Sequence, residues 1–318
     1  MRWRAKSVSG HAAWARPGVV WPRPAWWGPA APINTRIPAV PVIDAASAAM
    51  VARLAVGIHN TSTVQYAIGV YYATDAGTTR VDRTGVGAWA VGVPVNPAWV
   101  PPPGSDGSIA VVDQEQDRQW CLWQYNPATL SFAGGGWADP SSDVVTTVAG
   151  TATGANFAFG AGLIRCAELE AGRINHALVF ATDVADNGLA TPGYGSPSLY
   201  RFPATRTDAQ NLRGVSSGRV PEGARVQLDP AVDLSTVPAG YQRTIAAALQ
   251  EYGAFCVDNG GISLNVYTEL HPWIRRSPTA EYEPVAERAR LQGVVTDYAD
   301  LSGIPWDRLR VLASWNGL

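Results

Sequence analysis

The 318-residue chain is poor in charged residues and almost lacks lysine. Charged residues make up 16% of the sequence, against roughly 25% in ordinary globular proteins, and Lys6 is the only lysine. The formal net charge is −2, so no overall positive field draws the chain to nucleic acid or to anionic lipid. We therefore expect neither nucleic acid nor a membrane among its partners.

Long apolar runs are also missing. No segment approaches the about 20 apolar residues of a membrane helix, and proline and tryptophan interrupt every apolar run in residues 1–32. The N-terminal sequence therefore lacks the apolar core of an export signal. We expect a chain that is made in the cytoplasm and has no membrane segment.

Cysteine is scarce, and the common metal-site and phosphate-loop motifs do not occur. Cys121, Cys166 and Cys256 are too widely spaced for a zinc site, which leaves either one disulfide with a free thiol or three buried thiols. His-Glu-x-x-His and a lysine-containing phosphate loop are missing. The Asp-Asn-Gly sequences at 186–188 and 258–260 lack the full spacing of a calcium loop and are typical of turns. We predict no cofactor and no metal.

Glycine and proline, in contrast, are abundant and divide the chain into short segments. Between them lie runs rich in β-branched and aromatic residues, which is the pattern of a mainly β fold such as a β-sandwich. Residues 109–113 and 119–125 predict one hairpin, and 254–261 with 263–270 predict another. Residues 43–55 and 239–253 predict helices, so we expect two or three accessory helices on the sandwich.

Composition also indicates three regions. Residues 1–38 are rich in proline, which favours extended backbone, and they hold five tryptophans: Trp3, Trp14, Trp21, Trp26 and Trp27. Because disordered tails are poor in aromatic residues, we expect this extended N-terminal arm to pack either on neighbouring subunits of a homo-oligomer or back on its own domain. We assign residues 39–275 to the β-sandwich and 276–318 to a C-terminal helix/strand extension packed on it.

Several stretches resemble known proteins. The sequences "DGSIAVVDQEQDRQWCLW", "GLIRCAELEAGRINHALVF", "GARVQLDP" and "TIAAALQEYGAFCVDNGG" are similar to a poorly characterised family of exported bacterial proteins. The stretch "APINTRIPAVPVIDAASAAMVARL" resembles minor tail proteins of phages that infect actinobacteria. The resemblance implies a jelly-roll-like β-sandwich, similar to the folds of carbohydrate-binding modules and polysaccharide lyases. It implies no established activity.

His176 decides whether the chain is interpreted as an enzyme. It stands in an apolar, strand-like run at 174–182, and a histidine held by an acid can act as a general base. The acids in 113–117 and Glu170 are candidate partners. The resemblance carries over Glu168, His176, Asp258 and Asn259. If the chain is an enzyme, a polysaccharide lyase or a glycoside hydrolase, its catalytic residues are His176, Glu168 and Asp258; a structural pair and a non-catalytic ligand site stay open.

Our leading hypothesis is a non-enzymatic one. Indole faces stack on sugar rings, so Trp123 and Trp137, with Asn259, are candidate ligand-binding residues, although such indoles also pack in cores. We expect a structural or host-recognition component of a phage virion, associated with the tail. Its expected partners are other virion proteins, further copies of the chain and cell-wall polysaccharide.

Overall fold

A computed structural model describes residues 27–189, 199–270 and 297–314. The described chain is mainly β, with three α-helices, which confirms the predicted fold class. The helices are α1 (Ser47–Leu54), α2 (Cys166–Ala171) and α3 (Tyr241–Glu251). The arm tryptophans Trp3, Trp14, Trp21 and Trp26 lie outside the described residues, as does 276–296 of the predicted C-terminal extension.

The strands form one large sheet, one small sheet and one ribbon. The large sheet has the order β13-β1-β12-β9-β11-β10-β14 and the small sheet the order β2-β5-β6-β7-β8, while β3 and β4 form the ribbon. In chain order the strands are β1 (His59–Ser62), β2 (Gly69–Tyr72), β3 (Thr79–Val81), β4 (Val93–Val95), β5 (Ile109–Asp113), β6 (Arg118–Trp123), β7 (Gly134–Ala138), β8 (Ala149–Gly150), β9 (Leu178–Thr182), β10 (Arg225–Leu228), β11 (Ala254–Asn259), β12 (Leu264–Tyr267), β13 (Ala299–Asp300) and β14 (Leu309–Val311).

Alternation of side chains along the strands produces three separate apolar cores. In β11, Cys256 faces the helices, whereas Phe255 and Val257 face the small sheet. In β6, Cys121 joins that same inter-sheet core, and Trp120 faces the ribbon. The two sheets therefore pack face to face, with helices covering the outer side of one sheet and the ribbon covering the outer side of the other.

The strand pairing differs from the sequence expectations in two respects. The predicted hairpin of β5 and β6 is present, but β12 does not pair with β11, because β9 lies between them and is parallel to β11 and antiparallel to β12. The pairs β1–β12 and β2–β5 are also parallel. A jelly roll is built from antiparallel strands, so this sandwich-like fold has a mixed topology within the predicted class.

Both ends of the described chain are integrated into the domain. Trp27 is 3% exposed in the inter-sheet core, and the backbone N–H of Ala177 donates to Ile33. Near the C-terminus, β13 and β14 form the two edges of the large sheet. Residues 27–37 thus fold back on their own domain, and residues 297–314 contribute both edge strands of the large sheet.

All three cysteines are free and buried, so of the two alternatives left open by the sequence the structure has three buried thiols.

Among the described residues, no helix is long and apolar enough to cross a bilayer.

Candidate functional site

Three carboxyl groups meet at the end of β11, next to the inter-sheet core. One oxygen each from Asp208, Glu222 and Asp258 lie within 4.8 Å of one another. We call these three residues the acidic cluster. Within residues 27–189, 199–270 and 297–314, no arginine or histidine forms a salt bridge with any of them, so this part of the chain supplies no compensating cation to the three acidic groups.

Asp258 reaches the cluster because β11 is irregular. Its pairing with β9 shifts register between Cys256 and Asp258, which leaves Val257 as an extra residue. Such a bulge changes the direction of the following side chain. Asp258 consequently meets Tyr267, whose hydroxyl donates to Asp258 Oδ2 at 3.1 Å.

Glu222 is placed by a tight turn before β10. The N–H of Ala224 donates to Pro221 O at 3.0 Å, and Gly223 has a φ of +83°, a conformation that glycine adopts without strain. The turn directs Glu222 inward, where it is 0% exposed. Its Oε2 accepts from the backbone N–H of Asp208 at 3.3 Å, and the Thr207 side chain also hydrogen-bonds the carboxyl group. Its Oε1 has no hydrogen-bond partner among the described residues.

Asn259 fixes the loop that carries Asp208. The Asn259 amide donates to Asp208 O at 2.8 Å and to Asp208 Oδ1 at 2.7 Å, and its own Oδ1 accepts from the N–H of Gln210 at 2.9 Å. Both ends of the amide are therefore used within the protein. Asn259, a candidate ligand-binding residue from the sequence, lies beside the acidic cluster and orients one of its acids instead of presenting a free amide.

The crowding of the three carboxyl groups changes their acidity. Burial, together with the charges of Asp208 and Asp258, raises the pKa of Glu222 to about 9. Burial and the charge of Asp208 raise the pKa of Asp258 to about 7. Strongly perturbed acids in a partly open site are typical of functional sites.

An exposed tryptophan lies on the same side of the molecule. Trp123 follows Cys121 by two residues in β6, so its side chain is on the face of the small sheet that packs on the large sheet. It is 40% exposed, and its indole N–H donates to Asp106 Oδ1 at 3.5 Å. The charge of Asp106 is close enough to help raise the pKa of Tyr267. We call Asp106, Trp123, Asp208, Asp258 and Tyr267 the inter-sheet mouth.

His176 is separate from this mouth. It lies just before β9 and not within the strand, and it is 4% exposed. Its Nδ1 is 2.8 Å from Ala177 O, and its Nε2 is 3.1 Å from Glu168 Oε2. Burial alone would lower the pKa of His176, but the charge and hydrogen bond of Glu168 outweigh it and raise that pKa. The hypothetical catalytic set His176, Glu168 and Asp258 is thus split into a buried His–Glu pair and a distinct acid at the mouth.

The remaining predicted tryptophans also lie elsewhere. Trp137 pairs with Trp120 on the ribbon side of the small sheet, and the Arg118 guanidinium lies 4.1 Å from the centre of its ring. The indole N–H of Trp27 donates to Val144 O at 2.9 Å inside its own domain, which leaves this ring no surface for a neighbouring subunit.

Sequence reasoning missed Asp208 and Glu222. Each is a single acid in a polar turn region, with no partner at a regular spacing. The one local signal is the Pro-Glu-Gly turn at 221–223, which indicates a tight turn but not what the glutamate faces.

Comparisons of the chain with protein-family models, with curated proteins and with solved structures find no match. The resemblance to phage tail proteins therefore rests on the sequence motifs alone and stays a prediction.

Proposed function

We propose that this chain is a tail-associated component of a phage virion that contacts cell-surface glycan at the inter-sheet mouth. The virion part is supported by the sequence stretches that resemble minor tail proteins. The glycan part is carried by one observation: an exposed indole, Trp123, lies on the same side of the sandwich as Asp106, Asp208 and Asp258.

The chemistry of the mouth suits a sugar. The apolar face of an aromatic ring packs on the C–H face of a pyranose ring, while its polar edge stays hydrogen-bonded. Ionised carboxylates accept short hydrogen bonds from hydroxyl groups. Asp208 and Asp258 are both partly exposed, so they can meet a ligand whose ring lies against Trp123.

A second candidate function is a carbohydrate-active enzyme, and the raised pKa values of Glu222 and Asp258 favour it. Glycoside hydrolases use two carboxyl groups, one of which has a raised pKa. Glu222, however, has no exposed surface, so a sugar cannot reach it in this arrangement. His176 is equally inaccessible. Binding is therefore the better-supported function of the mouth.

The glycan proposal is tested by the binding of the purified chain to isolated cell-wall polysaccharide from an actinobacterial host. We expect Trp123→Ala to weaken binding about 10-fold, which is about 1.4 kcal/mol. Val91→Ala is the matched control, because Val91 is 60% exposed and lies between the two strands of the outer ribbon. The glycan part is contradicted if the wild-type chain binds no wall fraction. It is also contradicted if Trp123→Ala binds as tightly as Val91→Ala.

The virion part has its own test. Mass spectrometry of purified particles from the source phage is expected to detect peptides of this chain together with tail proteins. Detection only in the lysate, with none in the particles, contradicts it and leaves the result on glycan binding untouched.

A further inference from the structure

We propose that the acidic cluster of Asp208, Glu222 and Asp258 binds a divalent cation, and that Ca²⁺ fits it best. The observation behind this is geometric: one oxygen from each residue lies within 4.8 Å of the other two. Two ligands of the same Ca²⁺ ion are separated by at most about 4.6–5.2 Å, because each bond is about 2.3–2.6 Å long. The three oxygens already satisfy this limit.

A second and independent observation is the unpartnered oxygen of Glu222. Its side chain is 0% exposed, and Oε1 accepts no hydrogen bond from the described residues. Once Glu222 is ionised, leaving this buried carboxylate oxygen unpaired is costly. A cation between the carboxylates supplies the missing partner.

The other buried acids show how this protein normally compensates such groups. Asp113 pairs with Arg80, Glu269 with Arg165 and Glu168 with His176. The acidic cluster has three carboxyl groups and no such partner in the described chain. A divalent ion would reduce the total charge of the fully ionised cluster from −3 to −1.

The surroundings hold the oxygens in place, as outer ligands of metal sites do. Asn259 donates to Asp208, and Tyr267 donates to Asp258. The loop at Gly154 closes on both acids: a side-chain carbon at that position would collide with Asp208 Oδ1 and lie 3.0 Å from Asp258 Oδ1.

The donor set selects among cations. All three donors are carboxylate oxygens, which prefer hard ions such as Ca²⁺, Mg²⁺ or Mn²⁺ over zinc or copper. Mg²⁺ requires bonds of about 2.0–2.1 Å in near-octahedral geometry, so its ligands must lie within about 4.2 Å of one another. Ca²⁺ accepts separations over the whole range up to the 4.8 Å that bounds these oxygens, and without a fixed geometry. This inference does not depend on glycan binding or on a place in a virion.

The test is calorimetric titration of the full chain, freed of metal with EDTA, against CaCl₂, with MgCl₂ and MnCl₂ in parallel. Glu222→Gln keeps the shape of the side chain and removes its charge; Asp208→Asn does the same at a partly exposed position, in case the first variant folds poorly. The control is Asp307→Asn, an exposed acid in a 3₁₀ turn far along the chain.

We expect Ca²⁺ to bind, with affinity lowered at least about 10-fold in either cluster variant and unchanged in Asp307→Asn. The proposal is overturned if none of Ca²⁺, Mg²⁺ and Mn²⁺ binds at concentrations up to about 1 mM, the range in which weak extracellular calcium modules bind their ion. The proposal is also overturned if both cluster variants bind the ion as tightly as the wild type does, since the ion would then lie elsewhere.

Discussion

Removing the imidazole of His176 should destabilise the protein instead of abolishing a reaction. Nδ1 faces a carbonyl oxygen and must carry a proton, and Nε2 faces Glu168, whose Oε2 also accepts from the N–H of Arg165 at 2.9 Å. In the charged state both ring nitrogens donate, and the ring is an imidazolium paired with a carboxylate; the raised pKa of His176 favours this state. The two side chains are only 5% and 10% exposed. Loss of one partner from such a buried pair costs about 3–5 kcal/mol.

The assay is urea unfolding of the wild type, His176→Ala, Glu168→Ala and the double variant. Because the folded-state pKa of His176 is raised, the pair contributes fully below the unfolded value of 6.5 and loses strength as the pH rises through the folded value. The cost of His176→Ala should therefore be largest at pH 5–6. A cost below about 1 kcal/mol, with no coupling in the double-mutant cycle, would refute the structural role.

Three further predictions concern Asp113 and the acidic cluster. Asp113→Ala should lower the free energy of unfolding by about 3–5 kcal/mol in urea, because its fully buried carboxylate pairs with Arg80; a cost under 1 kcal/mol would contradict this. Gly154→Ala should displace Asp208 and weaken Ca²⁺ binding about 10-fold in calorimetry with an unchanged circular dichroism spectrum; unaltered affinity would count against the cluster. In EDTA, urea titrations should show the free energy of unfolding falling between pH 4.5 and about 9, because the folded state binds the Glu222 proton more tightly than the unfolded state does. Glu222→Gln should flatten this pH dependence. An identical pH dependence in the variant would show that Glu222 is not its source.

Local structure was the part most accessible from the sequence. The hairpin of β5 and β6 joins neighbouring segments through a short polar turn, and α3 carries its apolar residues on one stripe. Both follow from residues close together in the chain. The predicted pairing of β11 with β12 is wrong, because the insertion of β9 between them is a long-range parallel contact that no turn residue encodes.

The candidate site was only half accessible for the same reason. Asp258 and Asn259 stand out as a polar pair that ends an apolar strand, whereas Asp208 and Glu222 come from separate loops before β10. What unites them is a bulge in β11 and a turn at Gly223, and both depend on tertiary packing. His176 is the opposite case: its conspicuous position in an apolar run reflects a buried ion pair with α2 and no connection to the mouth.

The most direct test of the account is a crystal structure of the full chain grown with CaCl₂ and fragments of cell-wall glycan. The account predicts an ion bound by Asp208, Glu222 and Asp258 and a sugar ring lying on Trp123, with His176 still closed against Glu168. A sugar bound in a cleft at His176, with the acidic cluster free of metal and Trp123 uncovered, would contradict it.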